Sequence, residues 1–164
     1  MALVLSLSVL LGVTATALAL LAIGVLEPQI SRNLADAARA RGLAEAGMEV
    51  AYGRLGSADG GVASAILAAA SPQNPWVTLS GAGTPDGAHG GTYTARVRND
   101  LDPSDRGLTG LPSGTEVGET ADRDGNGVLI LQSTGTFNRA RVTIEGVLRR
   151  SSEGVSLFNQ RELP

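Results

Sequence analysis

The sequence has no cysteine, no lysine and only one histidine. Without cysteine, a disulfide framework, a thiol nucleophile and a thiolate metal site are all excluded. A single histidine cannot build a His-rich metal site, and His89 lies in a glycine-rich stretch that is typical of a solvated loop. We also find no nucleophile-elbow or phosphate-loop motif. The sequence therefore predicts a protein that is not an enzyme.

Aromatic residues are scarce, and the overall charge is acidic. One Trp, two Tyr and two Phe are too few to form a stacking platform for the bases of a single strand. Thirteen basic and sixteen acidic residues give a net charge of −3, whereas nucleic-acid binders carry a basic footprint. Nucleic acid is therefore not expected as the main partner.

Charged side chains are missing from residues 1–26, and Glu27 is the first one. As a helix, such a segment extends about 39 Å, enough to cross a hydrocarbon core of about 30 Å. A secretory signal peptide would have a basic start and a shorter apolar core. We therefore predict that a basic leader is removed and that Met1 opens the mature chain. An ordinary membrane-anchor helix is the alternative.

The large apolar side chains of this segment predict a surface that packs against lipid or other helices. We assign that role to Leu3, Leu5, Leu10, Leu11, Leu18, Leu20, Leu21 and Leu26. Pro28 removes a helical hydrogen bond and clashes with the carbonyl of Gly24, and glycine weakens a helix by up to about 1 kcal/mol. A kink or a locally extended stretch is therefore expected over residues 22–28.

Residues 29–55 continue the helix in amphipathic form after the hydrophobic segment 1–28. They contain no proline and are rich in Ala, Leu, Arg and Glu, which favour helix. From Ala44 onward the apolar residues recur at steps of four, three and four, the spacing of one helix face.

The sequence predicts a β-rich head over residues 56–150. Apolar and polar residues alternate over 92–99 and 140–150, which is typical of half-buried strands, and residues 127–136 are predicted to form the strand between them in an antiparallel meander. Their one apolar face needs a cover, and the amphipathic helix supplies it. The sequence therefore predicts an α+β fold, a long helical spine with a small antiparallel sheet packed on its C-terminal half. Residues 151–164 form a polar tail that either adds an edge strand or contacts a neighbouring subunit.

An acidic loop is predicted over residues 100–126. It ends in the run DRDGNG, which matches the first half of an EF-hand loop. The ligands for Ca²⁺ would be side-chain oxygens and one backbone carbonyl, contributed by Asp122, Asp124, Asn126 and Val128. Ser133 stands where the bidentate Glu is expected, so Glu116 or Glu119 would have to supply that carboxylate. The alternative is an ordinary Asp/Gly/Asn turn before a strand, with no cofactor.

Several of these residues carry a family resemblance. The chain opens MALVL, has Leu26-Glu27 at the end of the uncharged helix and has LAEAG over residues 43–47. In these features it resembles type IV pilin-type proteins, most of all the PilX-type group, with a more distant similarity to GspK-like pseudopilins. The segments 133–136 and 144–150 resemble the closing hairpin of that group.

This resemblance implies a prepilin leader cut just before Met1 by a membrane peptidase, and often methylation of the new amino group. It implies a single-pass inner-membrane protein that assembles into an extracellular filament on the cell surface. The partners it implies are other copies of the chain, other pilins, the inner-membrane assembly platform and the prepilin peptidase.

The chain departs from the family at Leu5, where most pilins carry an acidic residue. In pseudopilins the missing acid goes with a position at the filament tip. Three functions therefore stay open. The first is a structural filament subunit, the second is a minor or tip subunit that primes assembly, and the third is a monomeric anchored surface domain that binds a ligand or Ca²⁺.

Overall fold

The structure is a computed structural model that describes residues 1–56, 61–79, 90–112, 114–115, 118–151 and 154–164, without the side chains of residues 25 and 61. Its elements are α1 (Ala2–Gly56), α2 (Gly61–Leu67), β1 (Val77–Thr78), β2 (Gly91–Asn99), a 3-10 turn (Pro103–Asp105), α3 (Arg106–Thr109), β3 (Val128–Phe137), β4 (Ala140–Ser151) and β5 (Gly154–Leu163). This order confirms the predicted α+β class. The chain divides into two compact units, Met1–Asp36 and Ala37–Pro164, which we describe in turn.

The first unit consists of the start of α1. Its large apolar side chains are exposed, and the eight leucines predicted to pack in a bundle are between 54% and 78% exposed. Four hydroxyls near the start of this segment donate to carbonyls of the helix itself; for example, Ser8 donates to the Val4 carbonyl at 2.9 Å and Thr16 to the Gly12 carbonyl at 2.8 Å. By length and composition, α1 is able to cross a membrane.

Residues 22–28 are helical, with Pro28 inside α1. Of the two alternatives predicted around Gly24 and Pro28, the locally extended stretch is therefore not present in the structure, and the kink stays a prediction. A single proline removes one hydrogen bond, and the turns on both sides continue the ladder.

The second unit is built on an antiparallel sheet with strand order β1-β2-β3-β4-β5. In β2 the residues alternate between buried and exposed as predicted, with Tyr93, Ala95 and Val97 on the buried side. Of the two alternatives for the tail, the structure has the edge strand, because β5 pairs with β4. The pairing has an irregularity between Glu145 and Val147.

The second half of α1 covers one face of this sheet. Its buried residues follow each other at steps of four, four, three and four and join the strand residues in one apolar cluster; they are Ala40, Ala44, Met48, Ala51 and Leu55. Gly135 of β3 makes the close approach possible. A Cβ atom built there would overlap the Ala40 carbonyl oxygen and the Ala44 amide nitrogen.

The expectation of a single apolar face is wrong for the start of β3, where residues 128–133 are all buried. On the outer face Val128, Ile130 and Val147 pack with Leu108 of α3. A continuous apolar run such as VLIL is typical of a strand covered on both sides, and the acidic loop provides that second cover.

Glu145 of β4 is a buried acidic residue. It is 6% exposed and accepts a hydrogen bond from Arg161 Nη2 at 2.7 Å. Because β5 lies beside β4, the carboxylate is covered and its charge is paired at the same time.

We predict that Gly135→Ala destabilises the second unit by several kcal/mol, on the order of an overpacked core. The added methyl group meets backbone atoms of α1, which cannot rotate away as a side chain can. Unfolding in denaturant, followed by the fluorescence of Trp76 in the detergent-solubilised chain, measures the change. Gly107→Ala in α3 is the control, since a Cβ there meets nothing within 4 Å, and its effect should stay within about 0.5 kcal/mol.

Candidate functional site

The acidic loop folds onto the end of β2 and forms a buried polar cluster. Asp100 is 1% exposed, and both of its carboxylate oxygens accept from Asn126 Nδ2, at 3.2 and 3.1 Å. Asn99 Nδ2 donates to Glu119 Oε2 at 2.8 Å and to two loop carbonyls, those of Thr120 and Arg123. The side chains at the end of β2 therefore hold the loop in place.

The residues predicted to bind Ca²⁺ form a hydrogen-bonded turn. Asp124 Oδ1 accepts from the Gly127 amide at 2.7 Å, and Asp124 Oδ2 pairs with Arg150 Nη2. Asn126 Oδ1 accepts from the Val128 amide at 2.8 Å. These are the local bonds by which Asp and Asn side chains stabilise turns. A cation at Asp124 would have to displace the guanidinium of Arg150.

The other predicted ligands are exposed or already accept hydrogen bonds from the turn. Asp122 is exposed, and Glu119 accepts from the Gly125 amide with both oxygens, at 3.0 and 2.9 Å. Glu116 and His89 lie outside the described residues. Within the residues that the structure does describe, no three His, Cys, Asp or Glu side chains are grouped as metal ligands are.

Burial raises the pKa of Asp100 from 3.8 to about 6. The hydrogen bond from Asn126 opposes that shift, while the nearby charges of Glu119 and Asp124 add to it. Asp102 behaves in the opposite way. It is exposed and accepts from the Ser104 amide at 2.8 Å at the start of the 3-10 turn, and this bond lowers the pKa of its carboxyl.

A second feature of the unit is a cluster of Arg96, Arg98 and Trp76, which the sequence reasoning missed. The guanidinium carbons of Arg96 and Arg98 lie 4.5 and 5.1 Å from the Trp76 ring centroid, within the range of cation–π attraction. Arg98 also forms a bidentate pair with Asp105, at 2.5 and 2.6 Å. Two arginines at alternate positions of β2 and a single Trp upstream were the available signal.

This cluster borders an open pocket of about 540 Å³. The lining residues are Pro72, Pro75, Trp76, Arg98, Leu101, Asp102 and Pro103. The pocket offers the Trp76 ring and proline surfaces beside polar groups. Of these polar groups, Nη1 and Nη2 of Arg98 donate to Asp105, and Oδ1 of Asp102 accepts from the Ser104 amide.

The first unit carries the remaining predicted residues on exposed surface. Met1 and the eight leucines are uncovered. Two shallow apolar grooves lie along the helix. One is lined by residues between Val9 and Leu20, and the other by residues between Ile23 and Leu34. What these surfaces can do is bind apolar material, either lipid tails or other helices.

We predict that the contribution of Asp100 to the stability of the second unit falls as the pH rises from about 4 to above 6. The folded state holds the Asp100 proton more tightly than the unfolded state, so this contribution is complete below the unfolded pKa and is lost as the pH passes the folded one. The raised pKa corresponds to at most about 3 kcal/mol at neutral pH. Asp100→Asn should therefore raise the Trp76 unfolding midpoint at pH 7.5 and flatten the pH profile, whereas Asp122→Asn should leave both unchanged. An unchanged profile in Asp100→Asn would contradict the assignment.

For calcium we expect the same unfolding midpoint in millimolar Ca²⁺ and in excess chelator, because Arg150 and the Gly127 amide occupy both Asp124 oxygens. Thermal unfolding followed at Trp76 checks this. A midpoint that rises by several degrees with Ca²⁺, and no longer does so in Asp124→Asn, would instead establish the cation site.

The chain matches no protein-family model, no curated protein and no solved structure. Two features of the described residues bear on its function: the exposed apolar surface of the first unit, and the buried polar cluster on the sheet of the second unit.

Proposed function

We propose that this chain is a structural subunit of a type IV pilus-like extracellular filament and that it polymerises through its N-terminal hydrophobic helix. The observation that carries the proposal is the apolar surface of the first unit, whose leucines the chain itself leaves uncovered. A large contiguous apolar patch on a protein surface marks an interaction with lipid or with another protein.

The composition of the helix suits two environments, a lipid membrane before assembly and a bundle of helices after it. In a membrane its apolar surface is solvated by lipid, and association between helices then depends on close packing rather than on the hydrophobic effect. Gly12 has no heavy atom near its would-be Cβ, and together with Thr16 and Ala17 it leaves a groove between larger residues. Small residues of this kind allow helices to approach closely.

The resemblance to pilin-type proteins at residues 1–5, 26–27 and 43–47 supports the same proposal. Under it, a membrane peptidase removes a leader before Met1, and methylation of the new amino group follows. The chain waits as a single-pass protein of the inner membrane and joins the filament at an assembly platform. Its partners are then other copies of itself and other pilins.

Leu5 favours the second candidate, a minor or tip subunit that primes assembly, because the acid usual in shaft subunits is missing there. The third candidate is a monomeric anchored domain, for which the pocket beside Trp76 is one possible ligand site among the described residues. The three candidates differ in what surrounds the helix in the finished assembly, which is other copies, other pilins or lipid alone.

Electron microscopy and mass spectrometry of sheared cell-surface material separate these candidates. We expect regular fibres made chiefly of this chain. Fibres of another pilin with traces of this chain would support the tip subunit, and a chain found only in membranes would support the anchored domain.

A variant pair tests whether the helix must loosen during assembly. Replacing Gly24 and Pro28 by Ala together stiffens residues 22–28 without removing apolar surface. We expect fewer fibres at an unchanged membrane level of the protein. Gly107→Ala is the matched control in the second unit, and its fibre yield should equal that of the wild type.

A further inference from the structure

The outer face of the sheet is open over the half that lies next to the turn between β3 and β4. The other half, around Val128, Ile130 and Val147, packs with α3. Because strand residues two apart lie on the same face, the open half carries polar side chains of the same strands, and they are exposed or half-buried. We call this half the arginine–threonine face. Its residues are Thr94 and Arg96 of β2, Thr134 of β3, Arg141 and Thr143 of β4, and Arg161 of β5.

The sheet register arranges this face in rows. Arg96 and Arg161 lie at the two ends of one row that crosses from β2 to β5. Arg141 lies on β4, two rows farther along the strand. With neighbouring strands about 4.8 Å apart and a rise of about 3.4 Å per residue, the backbones of the three arginines are about 14–17 Å from each other. The row between them consists of hydroxyl side chains, those of Thr94, Thr134 and Thr143.

Positive charge is concentrated on these strands. β2, β3, β4 and β5 together hold six arginines and two glutamates, whereas the whole chain has a net charge of −3. Arg141 is exposed and forms no hydrogen bond or ion pair in the described part of the chain. Glu145 neutralises one arginine of the face, Arg161, by accepting from its Nε and Nη2. The face therefore keeps the charge of two arginines.

The guanidinium of Arg96 is held in place while part of it stays available. Its Nε donates to Gln132 Oε1 at 2.6 Å, and its Cζ lies 4.5 Å from the Trp76 ring centroid. Nη1 and Nη2 have no partner among the described residues. A guanidinium that is already ordered loses little conformational freedom when a ligand binds. Its remaining N–H groups suit the oxygens of an oxyanion such as a carboxylate.

We propose that the arginine–threonine face binds an acidic polysaccharide. Its carboxylate or sulfate groups pair with Arg96, Arg141 and Arg161, and its hydroxyl groups form hydrogen bonds with the row of threonines between them. Thr94 is exposed, and its hydroxyl has no partner among the described residues. The inference is independent of the proposed filament, because it rests on the sheet of the second unit alone.

A polysaccharide suits this face better than a nucleic acid does. The arginine–threonine face contains no aromatic side chain, and the Trp76 ring at its border already contacts Arg96 and Arg98. It therefore offers no open ring on which bases can stack. The acidic loop on the other half of the outer face repels a polyanion, so an anionic chain is confined to the open half.

Titration with polysaccharides of known charge tests the proposal. The full chain, in an uncharged detergent, is titrated with heparin, alginate or neutral dextran in a calorimeter. We expect heparin and alginate to bind with an affinity that falls as the salt concentration rises, and dextran not to bind. The proposal is overturned if neither acidic polysaccharide binds, or if dextran binds as tightly as they do.

A pair of arginine variants tests the location. Arg141→Gln removes a charge that supports nothing inside the described chain, and we expect about tenfold weaker binding, as for one lost charge-assisted hydrogen bond. Arg149→Gln is the matched control, since Arg149 is exposed on the same side of β4. It is about 27 Å from Arg141, beyond the Debye length of about 8 Å, so binding should stay close to that of the wild type. An equal loss in both variants would assign the binding to overall charge and overturn this face as the site.

The threonine row distinguishes a polysaccharide from other polyanions. Thr94→Val replaces the hydroxyl by a methyl group on an exposed strand position, and we expect alginate to bind several-fold more weakly. Single-stranded and double-stranded DNA are titrated at the same salt concentration, and we expect both to bind more weakly than alginate. DNA that binds as tightly as alginate would overturn the choice of a polysaccharide, and so would wild-type affinity for alginate in Thr94→Val.

Discussion

The close contact between α1 and Gly135 is the constraint on which the sheet unit depends. Without a side chain at Gly135, the backbone of α1 near Ala40 and Ala44 lies directly on β3. The small residues of the helix then fill the space beside the strand, and the larger Met48 and Leu55 bury themselves farther along. One glycine on the central strand and two alanines on the helix thus set the distance at which the core is packed.

The outer face of β3 is covered by α3 and the acidic loop, which polar hydrogen bonds hold in place. Val128 and Ile130 are covered by α3 and by the strand beside them, and the acidic loop is held there by polar bonds. Asn99 and Asp100 at the end of β2 reach Glu119 and Asn126. Placing Asp100 in that network takes its carboxyl out of water. The loop is therefore fixed in place at the cost of a buried acid, while its apolar side closes the core.

Much of this fold could be predicted from periodicity. The alternation in β2, the amphipathic residues of α1 and the hairpin of β3 and β4 are local patterns, and each element lies within a residue or two of its predicted bounds. The two covered faces of β3 were also visible in the run VLIL. Predicting a single apolar face was an error of interpretation, because a continuous apolar run and an alternating one predict different surroundings.

The site residues were harder to predict because their partners are distant in sequence. Asp124 and Asn126 suggest oxygen ligands when read as a motif, yet Arg150 and Asp100 are each 26 residues away. No local spacing in the sequence predicts the bonds from Asp124 to Arg150 and from Asn126 to Asp100. The same holds for Trp76, whose cation–π partners come from the next strand. Motif reading supplies the donor types, and the topology decides which of them meet.

The two units differ in how far their charged and apolar side chains find partners within the same unit. In the second unit Asp124, Glu145 and Asp105 each face an arginine of the same unit, and the apolar residues of both sheet faces are covered. In the first unit the hydroxyls of Ser8 and Thr16 donate to their own helix, but the leucines and Glu27 are exposed and are not covered by the residues that the structure describes. The free energy available for association therefore lies mainly along the helix.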